Sequence, residues 1–258
     1  MGKEEIYVGS VIKAIEILFL FTKKSELTLT EVTKMLNMGK SSAYKYLNTL
    51  EYLGLVERNL DNKKYRLGIK ILELSGVVLE NLDLRRIAKP YLEELAKLCN
   101  ETVHLMVERD GEGIYIEKID SPRAIRMYSQ IGKRLPLHTG AVGKALLAFM
   151  SEEKINEILS KPLIRFTRNT ITDPEKLKEE FKKIRERGYA IDNEEVEIGL
   201  KCVGAPIRDY TGKVVASISI SGPSTRFSDT KMREYIELIK EYAMKISTAL
   251  GYMPSEKL

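Results

Sequence analysis

The chain of 258 residues is 43% hydrophobic and 31% charged, a balance that is typical of one large or two modest folded domains. It has no run of about 18 apolar residues and no basic-then-apolar start, so we expect a cytoplasmic protein without a membrane span or signal peptide. Two distant cysteines, Cys99 and Cys202, and only two histidines argue against a disulfide framework, a zinc knuckle and a His-rich metal site.

Positive charge is concentrated near the N-terminus. The first 70 residues contain twelve Lys and Arg against eight Asp and Glu, which is +4 of the formal net charge of +5. Such an excess suggests contact with a polyanion, although a basic face in contact with solvent gives the same count. The charge therefore favours a nucleic-acid partner only if the fold of this region agrees.

Three short helical segments are predicted in this basic region. Apolar residues at helical spacing indicate a helix near 10–21, and Thr28 and Glu31 fit the capping box of a second helix. The third segment, GKSSAYKYLNTLEYLG, ends at Gly54. Its predicted inner stripe consists of Ala43, Leu47, Leu50 and Leu53. Two short amphipathic helices joined by a turn that contains glycine form a helix-turn-helix.

A basic hairpin is predicted after the third helix. Residues 55–58 and 63–67 read as two strands around a polar turn, so residues 1–68 are predicted to form a winged helix-turn-helix domain. The third helix suits the DNA major groove and the hairpin suits backbone phosphate. The predicted DNA-binding residues are Lys40, Ser41, Ser42, Tyr44, Lys45, Arg58, Lys63 and Lys64. The alternatives are a basic face in contact with solvent and a winged helix that binds protein.

The rest of the chain is predicted to contain a linker helix and an α+β domain. Residues 69–82 carry a wide apolar stripe and are predicted to pair with a second subunit, the alternative being a helix that packs on its own C-terminal domain. Residues 83–252 alternate helices with antiparallel strands, which indicates one central sheet, and 253–258 form a tail. The predicted strands lie near 102–108, 113–119, 124–130, 189–192, 201–208 and 213–221.

Small polar residues share faces of two of these strands. In VVASISISG, at 214–222, alternation places Val214, Ala216, Ile218 and Ile220 on one side. The other side carries Val215, Ser217, Ser219 and Ser221. Cys202, Gly204 and Pro206 share a face of the preceding strand, so a hollow lined by a thiol and hydroxyl groups is predicted. The alternative is small residues packed tightly under a helix.

Three segments resemble the IclR family of bacterial and archaeal transcriptional regulators. KRGYAIDNEEVEIGLKCVGAPIRDYTGKVVASISISGP is similar to the C-terminal signature of that family, and RLPLHTGAVGKALLAF to its preceding loop and helix. LTLTEVTKMLNMGKSSAYKYLNTLEYLGLV is similar to its winged helix. The resemblance covers about residues 8 to 252 and implies a GAF-like effector-binding domain, homodimers or homotetramers, and binding of double-stranded operator DNA.

The resemblance also implies a site for a small carboxylate effector. Its side chains are Asp192, Cys202, Ser219 and Ser221, and a Gly-rich loop with Gly140, Ala141 and Val142 offers backbone amides to the carboxylate. The apolar wall is predicted to contain Met127, Tyr128, Leu135 and Leu137. A 2-keto acid, a sugar acid or an aromatic acid would fit this description.

Cys202 is compatible with two other functions. A thiol-dependent enzyme lacks a histidine or second cysteine in recognisable relation to Cys202, and a metal sensor would need Asp192, Cys202 and His138 together. We therefore predict a regulator that is not an enzyme and has no cofactor, and whose Asp192/Cys202 pocket could bind adventitious zinc. His104 and His138 are predicted to be structural or surface residues.

Overall fold

The computed structural model describes residues 7–80, 83–125, 127 and 129–253. The chain divides into two compact units, Met1–Asn81 and Leu82–Leu258, called here the N-terminal and the C-terminal unit. None of the described helices combines the length and the apolar character that crossing a lipid bilayer requires.

The N-terminal unit is a winged helix-turn-helix followed by one further helix. Its elements are α1 Gly9–Leu20, α2 Leu29–Met35, α3 Lys40–Tyr52, β1 Val56–Arg58, β2 Tyr65–Leu67 and α4 Lys70–Glu80. The capping box is confirmed, because the Thr28 side chain accepts from the Glu31 amide and the Glu31 carboxylate accepts from the Thr28 amide. Leu27 exchanges two backbone hydrogen bonds with Tyr65, which fixes the start of α2 to the wing.

One residue of the predicted stripe on α3 is not buried. Ala43, Leu47 and Leu50 lie in the core of the unit, but Leu53 is 51% exposed. The helix ends at Tyr52, and Gly54 follows with φ of +73°, so the chain leaves helical periodicity at Leu53. Gly54 ends this helix as predicted, since glycine adopts a positive φ without a steric penalty.

The C-terminal unit is built around one antiparallel sheet in the order β5-β4-β3-β8-β7-β6. Its strands are β3 Thr102–Arg109, β4 Glu112–Ile119, β5 Arg134–Pro136, β6 Ala190–Asn193, β7 Leu200–Arg208 and β8 Val214–Pro223. Its helices are α5 Asp83–Cys99, α6 Gly140–Leu147, α7 Glu152–Leu159, α8 Pro174–Arg187 and α9 Asp229–Ala249. The helix-turn-helix and this single sheet with its helices confirm the predicted α+β fold class.

Helices cover both faces of this sheet. On one face, α5 and α9 pack on aliphatic side chains such as Leu105, Val203 and Ile218. On the other face, α6, α7 and α8 pack on a cluster that includes Met106 and Cys202. The second face is the one on which the predicted site residues lie.

The strand predicted near 124–130 is wrong. The described residues of 121–130 form bends and irregular backbone, and β5 follows at Arg134–Pro136. Side-chain hydrogen bonds fix this segment instead of backbone pairing with a neighbouring strand. Ser121 Oγ donates to the Asn100 carbonyl at 2.8 Å, and Lys118 Nζ donates to the Ser129 carbonyl at 2.8 Å. We call the described residues of this stretch, 121–125, 127, 129 and 130, the wall segment.

The alternation predicted for β8 is wrong at its start. Ile207 pairs with Ala216 and Arg208 pairs with Val214, so the pairing skips Val215 and a β-bulge results. Val215 packs with the cluster that contains Ile218, and Val214 packs with the cluster of the opposite face. The predicted faces therefore hold from Ala216 onward, which is the part of the strand that carries the serines.

Candidate effector-binding and DNA-binding sites

Neighbouring strands align the predicted effector residues in two rows. In the first row, Asp192 on β6 lies opposite Cys202 on β7, which lies opposite Ser221 on β8. In the second row, Ser219 lies between Gly204 and His104. Directly opposed residues of a sheet point to the same face, so side chains far apart in sequence meet on one surface.

A small cavity of about 10 Å³ lies where these rows meet the start of α6, with room for about one water molecule. The structure brings all eight predicted effector residues around it: Met127, Gly140, Ala141, Val142, Asp192, Cys202, Ser219 and Ser221. The lining also contains Tyr115, Leu135, Val196 and Leu200. Of the predicted wall, Leu137 is fully buried in the adjoining cluster, and Tyr128 lies outside the described residues.

The N-terminus of α6 presents free backbone donors to this cavity. Thr139 precedes the helix, and within the described part of the chain its side chain accepts no hydrogen bond from the first turn; its hydroxyl donates to the Pro136 carbonyl at 3.0 Å. The first three amides, at Gly140, Ala141 and Val142, therefore have no acceptor within the helix. These amides and the positive end of the helix dipole favour an anion.

Glycine is required at the first position of α6. Gly140 has φ of +69°, and a Cβ there would lie 3.2 Å from Leu135 Cδ2. This left-handed conformation turns the chain sharply from β5 into the helix. The turn brings the free amides over the ends of β6 and β7.

Asp192 is buried with one carboxyl oxygen paired and the other unpaired. Oδ1 accepts from the Glu195 amide at 2.7 Å, whereas Oδ2 has no hydrogen-bond partner among the described residues. Burial raises the pKa of Asp192, against the opposing effects of the Glu195 amide and of Lys144.

A buried ion pair lies behind Asp192. Lys144 Nζ donates to the Ile191 carbonyl at 2.7 Å and to Glu195 Oε1, and both side chains are almost fully buried. Burial raises the pKa of Glu195 to about 7, opposed by the charge of Lys144. Neither residue of this pair is among the site residues predicted from the sequence. Lys144 is a single charge inside the apolar helix GAVGKALL, and that isolation was the available signal.

His104, predicted to be a structural or surface residue, is fully buried behind the two serines. Its Nδ1 is 3.5 Å from Ser219 Oγ and 3.4 Å from Ser221 Oγ, and its Nε2 is 2.7 Å from Ser129 Oγ on the wall segment. Burial lowers the pKa of His104 to about 3, with a further contribution from Lys118, so the imidazole is neutral. His104 therefore connects the sheet to the wall segment.

The predicted hollow extends over fewer residues than expected. Ser217 Oγ donates to the Val142 carbonyl at 2.7 Å, and a Cβ on Gly204 would lie 2.9 Å from the Ala141 carbonyl. At these two positions the alternative holds, because small residues pack tightly under a helix. Pro206 lines a different cavity, of about 180 Å³.

The environment of Cys202 does not activate a thiolate. Burial raises its pKa far above the ordinary value, with the charge of Asp192 acting in the same direction, so the thiol stays protonated. His138 lies elsewhere, with its Nε2 3.0 Å from the Ile164 carbonyl oxygen. The described residues contain no group of three or more His, Cys, Asp or Glu placed to hold a metal ion. Zinc binding by Asp192 and Cys202 stays a prediction.

Five of the predicted DNA-binding residues form an exposed surface on α3. Lys40, Ser41, Ser42, Tyr44 and Lys45 are all exposed. The residue before the helix, Gly39, has no side chain with which to cap the first amides. These amides and the side chains around them are therefore open to a phosphate group.

The three predicted wing residues differ in their surroundings. Lys63 is exposed at the tip with φ of +58°. Lys64 Nζ lies 3.5 Å from Glu26 Oε2, and the guanidinium of Arg58 stacks 5.5 Å from the centre of the Tyr65 ring. Lys63 is therefore the most available of the three cations.

Comparison with known proteins identifies the family. Residues 10–60 match the IclR helix-turn-helix domain, and residues 76–248 match the family described as bacterial transcriptional regulator IclR C-terminal. The chain belongs to the IclR family. IclR proteins are DNA-binding transcriptional regulators, so the predicted class is confirmed and the enzymatic alternative for Cys202 is wrong.

Similarity to individual IclR proteins extends over nearly the whole chain. HTH-type transcriptional regulator KdgR of Escherichia coli K12 is 40% identical over 253 residues, which are 98% of this chain and 96% of that protein. The crystal structure of the Thermotoga maritima IclR has a TM-score of 0.76 and 42% identity, covering 95% of this chain and all of that one. An IclR homologue from Microbacterium hydrocarbonoxydans, complexed with 4-hydroxybenzoate, has a TM-score of 0.81 and 27% identity, covering 94% and 99%.

Proposed function

We propose that this IclR regulator is controlled by a small organic carboxylate bound at the cavity beside α6. The observation that carries the proposal is the convergence of the free amides of 140–142 with the hydroxyls of Ser219 and Ser221 on one buried space. Carboxylate oxygens accept hydrogen bonds and carry the negative charge that a helix N-terminus favours. The donors on this side of the cavity therefore match a carboxylate.

Ligand entry requires the cavity to widen. A cavity of about 10 Å³ is too small for a carboxylate with its carbon skeleton. Met127, on the wall segment, is partly buried and lines the cavity, and methionine side chains rearrange readily. Movement of the wall segment is the simplest way to admit a ligand. The homologue from Microbacterium hydrocarbonoxydans is complexed with 4-hydroxybenzoate, which is itself a small organic acid.

A thermal-shift screen of the full chain tests the carboxylate. Pyruvate, gluconate and 4-hydroxybenzoate are each compared with the corresponding amide. A ligand that binds the folded state stabilises it by about 2.7 kcal/mol at a concentration one hundred times Kd. We expect one of the acids to raise Tm and its amide to leave Tm unchanged. Stabilisation by the amides but not by the acids would contradict the proposal.

Paired serine variants locate the site. Ser219→Ala together with Ser221→Ala removes two cavity hydroxyls and is expected to weaken acid binding at least about tenfold, because donors to a charged acceptor are lost. Ser160→Ala, at the exposed end of α7, makes the same chemical change away from the cavity and should leave the acid affinity unchanged.

We propose that the exposed start of α3 recognises the operator sequence and that the wing contacts the DNA backbone phosphates. The proposed residues are Lys40, Ser41, Ser42, Tyr44, Lys45, Arg58, Lys63 and Lys64. Helix-turn-helix proteins bind two half-sites about one helical turn apart when they are dimers. A palindromic double-stranded operator is therefore proposed.

The proposed assembly is a homodimer or a dimer of dimers that pairs through α4. Leu74 and Val77, three positions apart on one face of this helix, are 60% and 59% exposed, which supports a partner surface there. Packing of α4 on the C-terminal domain of its own chain remains the alternative. In the dimer, effector binding changes operator affinity, and by linkage operator DNA changes effector affinity by the same factor.

A further inference from the structure

The cavity lined by Pro206 is separate from the cavity beside α6, called here the effector cavity. Its volume is about 180 Å³, and the two cavities share no described lining residue. It lies between the end of β7, α9, the last turn of α8 and the segment after α6. A protein cavity of about 150 Å³ can hold benzene, so this one has room for a ring or a short chain of similar size.

The edge of the sheet beside this cavity is not suited to a further strand. β6 pairs with β7 only as far as Gly204, so residues 205–208 have no described strand on that side. Pro206 has no N–H with which to pair a strand, and the Arg208 amide donates to Ser247 Oγ of α9 at 2.9 Å. Both features protect a sheet edge from strand addition. The space is therefore open to a ligand of another kind.

Three cations line this cavity, which we call the basic cavity: Arg185, Arg208 and Lys240. Its described lining contains no Asp or Glu. Arg185 and Lys240 have exposed carboxylates no nearer than 3.8 Å, those of Glu152 and Glu237, and Arg208 makes no ion pair within the described part of the chain. Like charges repel, so an anion that enters the basic cavity is attracted by all three groups.

Neutral groups orient the two guanidinium groups. Arg185 Nη1 donates to the Ala148 carbonyl at 2.8 Å, and Arg208 Nη1 donates to the Gly212 carbonyl at 2.8 Å. The guanidinium of Arg208 also stacks 4.8 Å from the centre of the Phe149 ring. A guanidinium group has five N–H donors, and these described hydrogen bonds use one from each arginine. Both groups are therefore held in place with donors left for a ligand.

A phosphate monoester matches these groups better than a carboxylate does. Near neutral pH its charge is about −2 and it has three terminal oxygens, whereas a carboxylate has one charge and two oxygens. Guanidinium and ammonium groups bind phosphate through charge-assisted hydrogen bonds. The lining also contains Phe149, Met244 and Tyr252, whose apolar surfaces suit the organic group that carries the phosphate.

We propose that the basic cavity is a second ligand site, for a small organic phosphate. The phosphate group binds the three cations, and the organic group packs on the apolar part of the lining. Phe149 lies two positions after the end of α6, the helix whose first amides line the effector cavity. The two sites therefore lie at opposite ends of α6. This inference goes beyond the proposed function and does not rest on it.

Calorimetry on the full chain tests the class of ligand, with phenyl phosphate as the probe at about pH 8, where its phosphate is a dianion. Phenol lacks the phosphate group, inorganic phosphate lacks the ring, and phenyl sulfate keeps the shape with a single charge. We expect phenyl phosphate to bind at least about tenfold more tightly than phenol and inorganic phosphate, because charged hydrogen bonds and apolar contact both contribute. It should also bind more tightly than phenyl sulfate.

Two double variants with the same change in charge locate the site. Arg185→Gln with Lys240→Gln removes two cations of the basic cavity, on α8 and α9. Lys182→Gln with Lys231→Gln removes two exposed cations from the same helices outside the described lining. We expect the first pair to weaken phenyl phosphate binding at least about tenfold and the second by less than about twofold. All four side chains are exposed, and Tm without ligand checks that both variants fold.

The outcomes separate the basic cavity from the effector cavity. Ser219→Ala with Ser221→Ala should leave the affinity for phenyl phosphate unchanged. Weaker binding in this variant and not in Arg185→Gln with Lys240→Gln places the probe in the effector cavity and overturns the second site. Equal losses in the two charge-matched variants, equal affinity for phenyl phosphate and any of its three analogues, or no binding at millimolar concentration also overturns it. None of these results bears on the carboxylate effector, because the two cavities share no described lining residue.

Discussion

Lys144 Nζ donates a hydrogen bond to the carbonyl oxygen of Ile191 at 2.7 Å inside the C-terminal unit. The same ammonium group pairs with Glu195, whose amide in turn donates to Asp192. One lysine therefore connects α6, whose first amides line the cavity, with β6, which carries Asp192, and with Glu195, two positions after the end of β6. Its single positive charge lies near two buried carboxyl groups, those of Glu195 and Asp192. The stability of this part of the protein should therefore depend on the charge of each of the three groups.

Removal of the Lys144 ammonium group should destabilise the protein strongly. Lys144→Met leaves Glu195 buried without its partner, and such a loss costs about 3–5 kcal/mol in the free energy of unfolding. Urea denaturation of the full chain measures this loss. Lys161→Met breaks an exposed pair with Glu157 and should change the free energy by less than about 1 kcal/mol. Similar losses in the two variants would contradict the expectation.

Glu195 should make stability fall as pH rises. Its folded pKa of about 7 lies above the ordinary value of 4.5, so its contribution is fully present below about pH 4.5 and is lost as pH rises through about 7. Glu195→Gln removes this dependence, and the stability of the variant relative to the wild type should increase between pH 5 and pH 8. Glu157→Gln, whose carboxyl has a lowered pKa, should show no such change. Parallel urea midpoints for wild type and Glu195→Gln across this range would disprove the prediction.

His104 should remain neutral in the folded protein well below pH 6.5. Because burial depresses its pKa to about 3, its contribution to stability is present above pH 6.5 and is lost as pH falls toward 3. The chain has two histidines, so a His138→Gln variant assigns their NMR ring signals. The His104 ring signal should not shift between pH 8 and pH 5. A titration near pH 6.5 would show that the imidazole is hydrated.

Features that depend on residues close together in the sequence could be predicted, and features that depend on distant residues could not. Thr28 and Glu31 are three residues apart, and Ser219 and Ser221 share a face by strand alternation, so sequence patterns identify them. Lys144 and Glu195 are 51 positions apart, and His104 meets Ser219 across 115 positions, so their contacts depend on strand order. No local pattern carries that information.

The two wrong strand assignments have a similar cause. The wall segment contains apolar residues, but two hydrogen bonds to distant parts of the chain hold it. Lys118 Nζ of β4 donates to the Ser129 carbonyl, and the Ser121 hydroxyl donates to the carbonyl of Asn100, the residue after α5. Val215 leaves the alternation of β8 because the neighbouring strand pairs around it. The irregular wall segment and the β-bulge at Val215 both depend on contacts with distant parts of the chain, which the local sequence does not predict.

Lys45 should contribute to DNA affinity through phosphate contact. Lys45→Ala removes an exposed cation on α3, which should weaken binding and reduce the slope of log affinity against log salt by about 0.9. Fluorescence anisotropy with a palindromic duplex selected from a random pool measures both quantities. Lys13→Ala, at an exposed position of α1, provides the control. An unchanged salt slope in Lys45→Ala would place the DNA elsewhere.

Gly204 should tolerate no side chain, because α6 rests directly on β7 at this point. A Cβ there would lie 2.9 Å from both the carbonyl carbon and the carbonyl oxygen of Ala141 and 3.0 Å from the Ile218 carbonyl oxygen. These are backbone atoms on both sides, so Gly204→Ala must move α6 off the sheet, and overpacking of this kind costs about 1–3 kcal/mol. The same movement displaces the amide of Ala141, so affinity for an acid ligand should fall together with the urea midpoint. Gly76→Ala in α4 is the matched control. A Cβ on Gly76 meets no described atom within 4 Å outside its own helix backbone and chain neighbours. Alanine there should therefore stabilise the helix by about 0.5–1 kcal/mol. A Gly204→Ala protein with unchanged stability and acid affinity would mean that α6 can move without affecting the cavity, and the amides of 140–142 would then lose their assigned role.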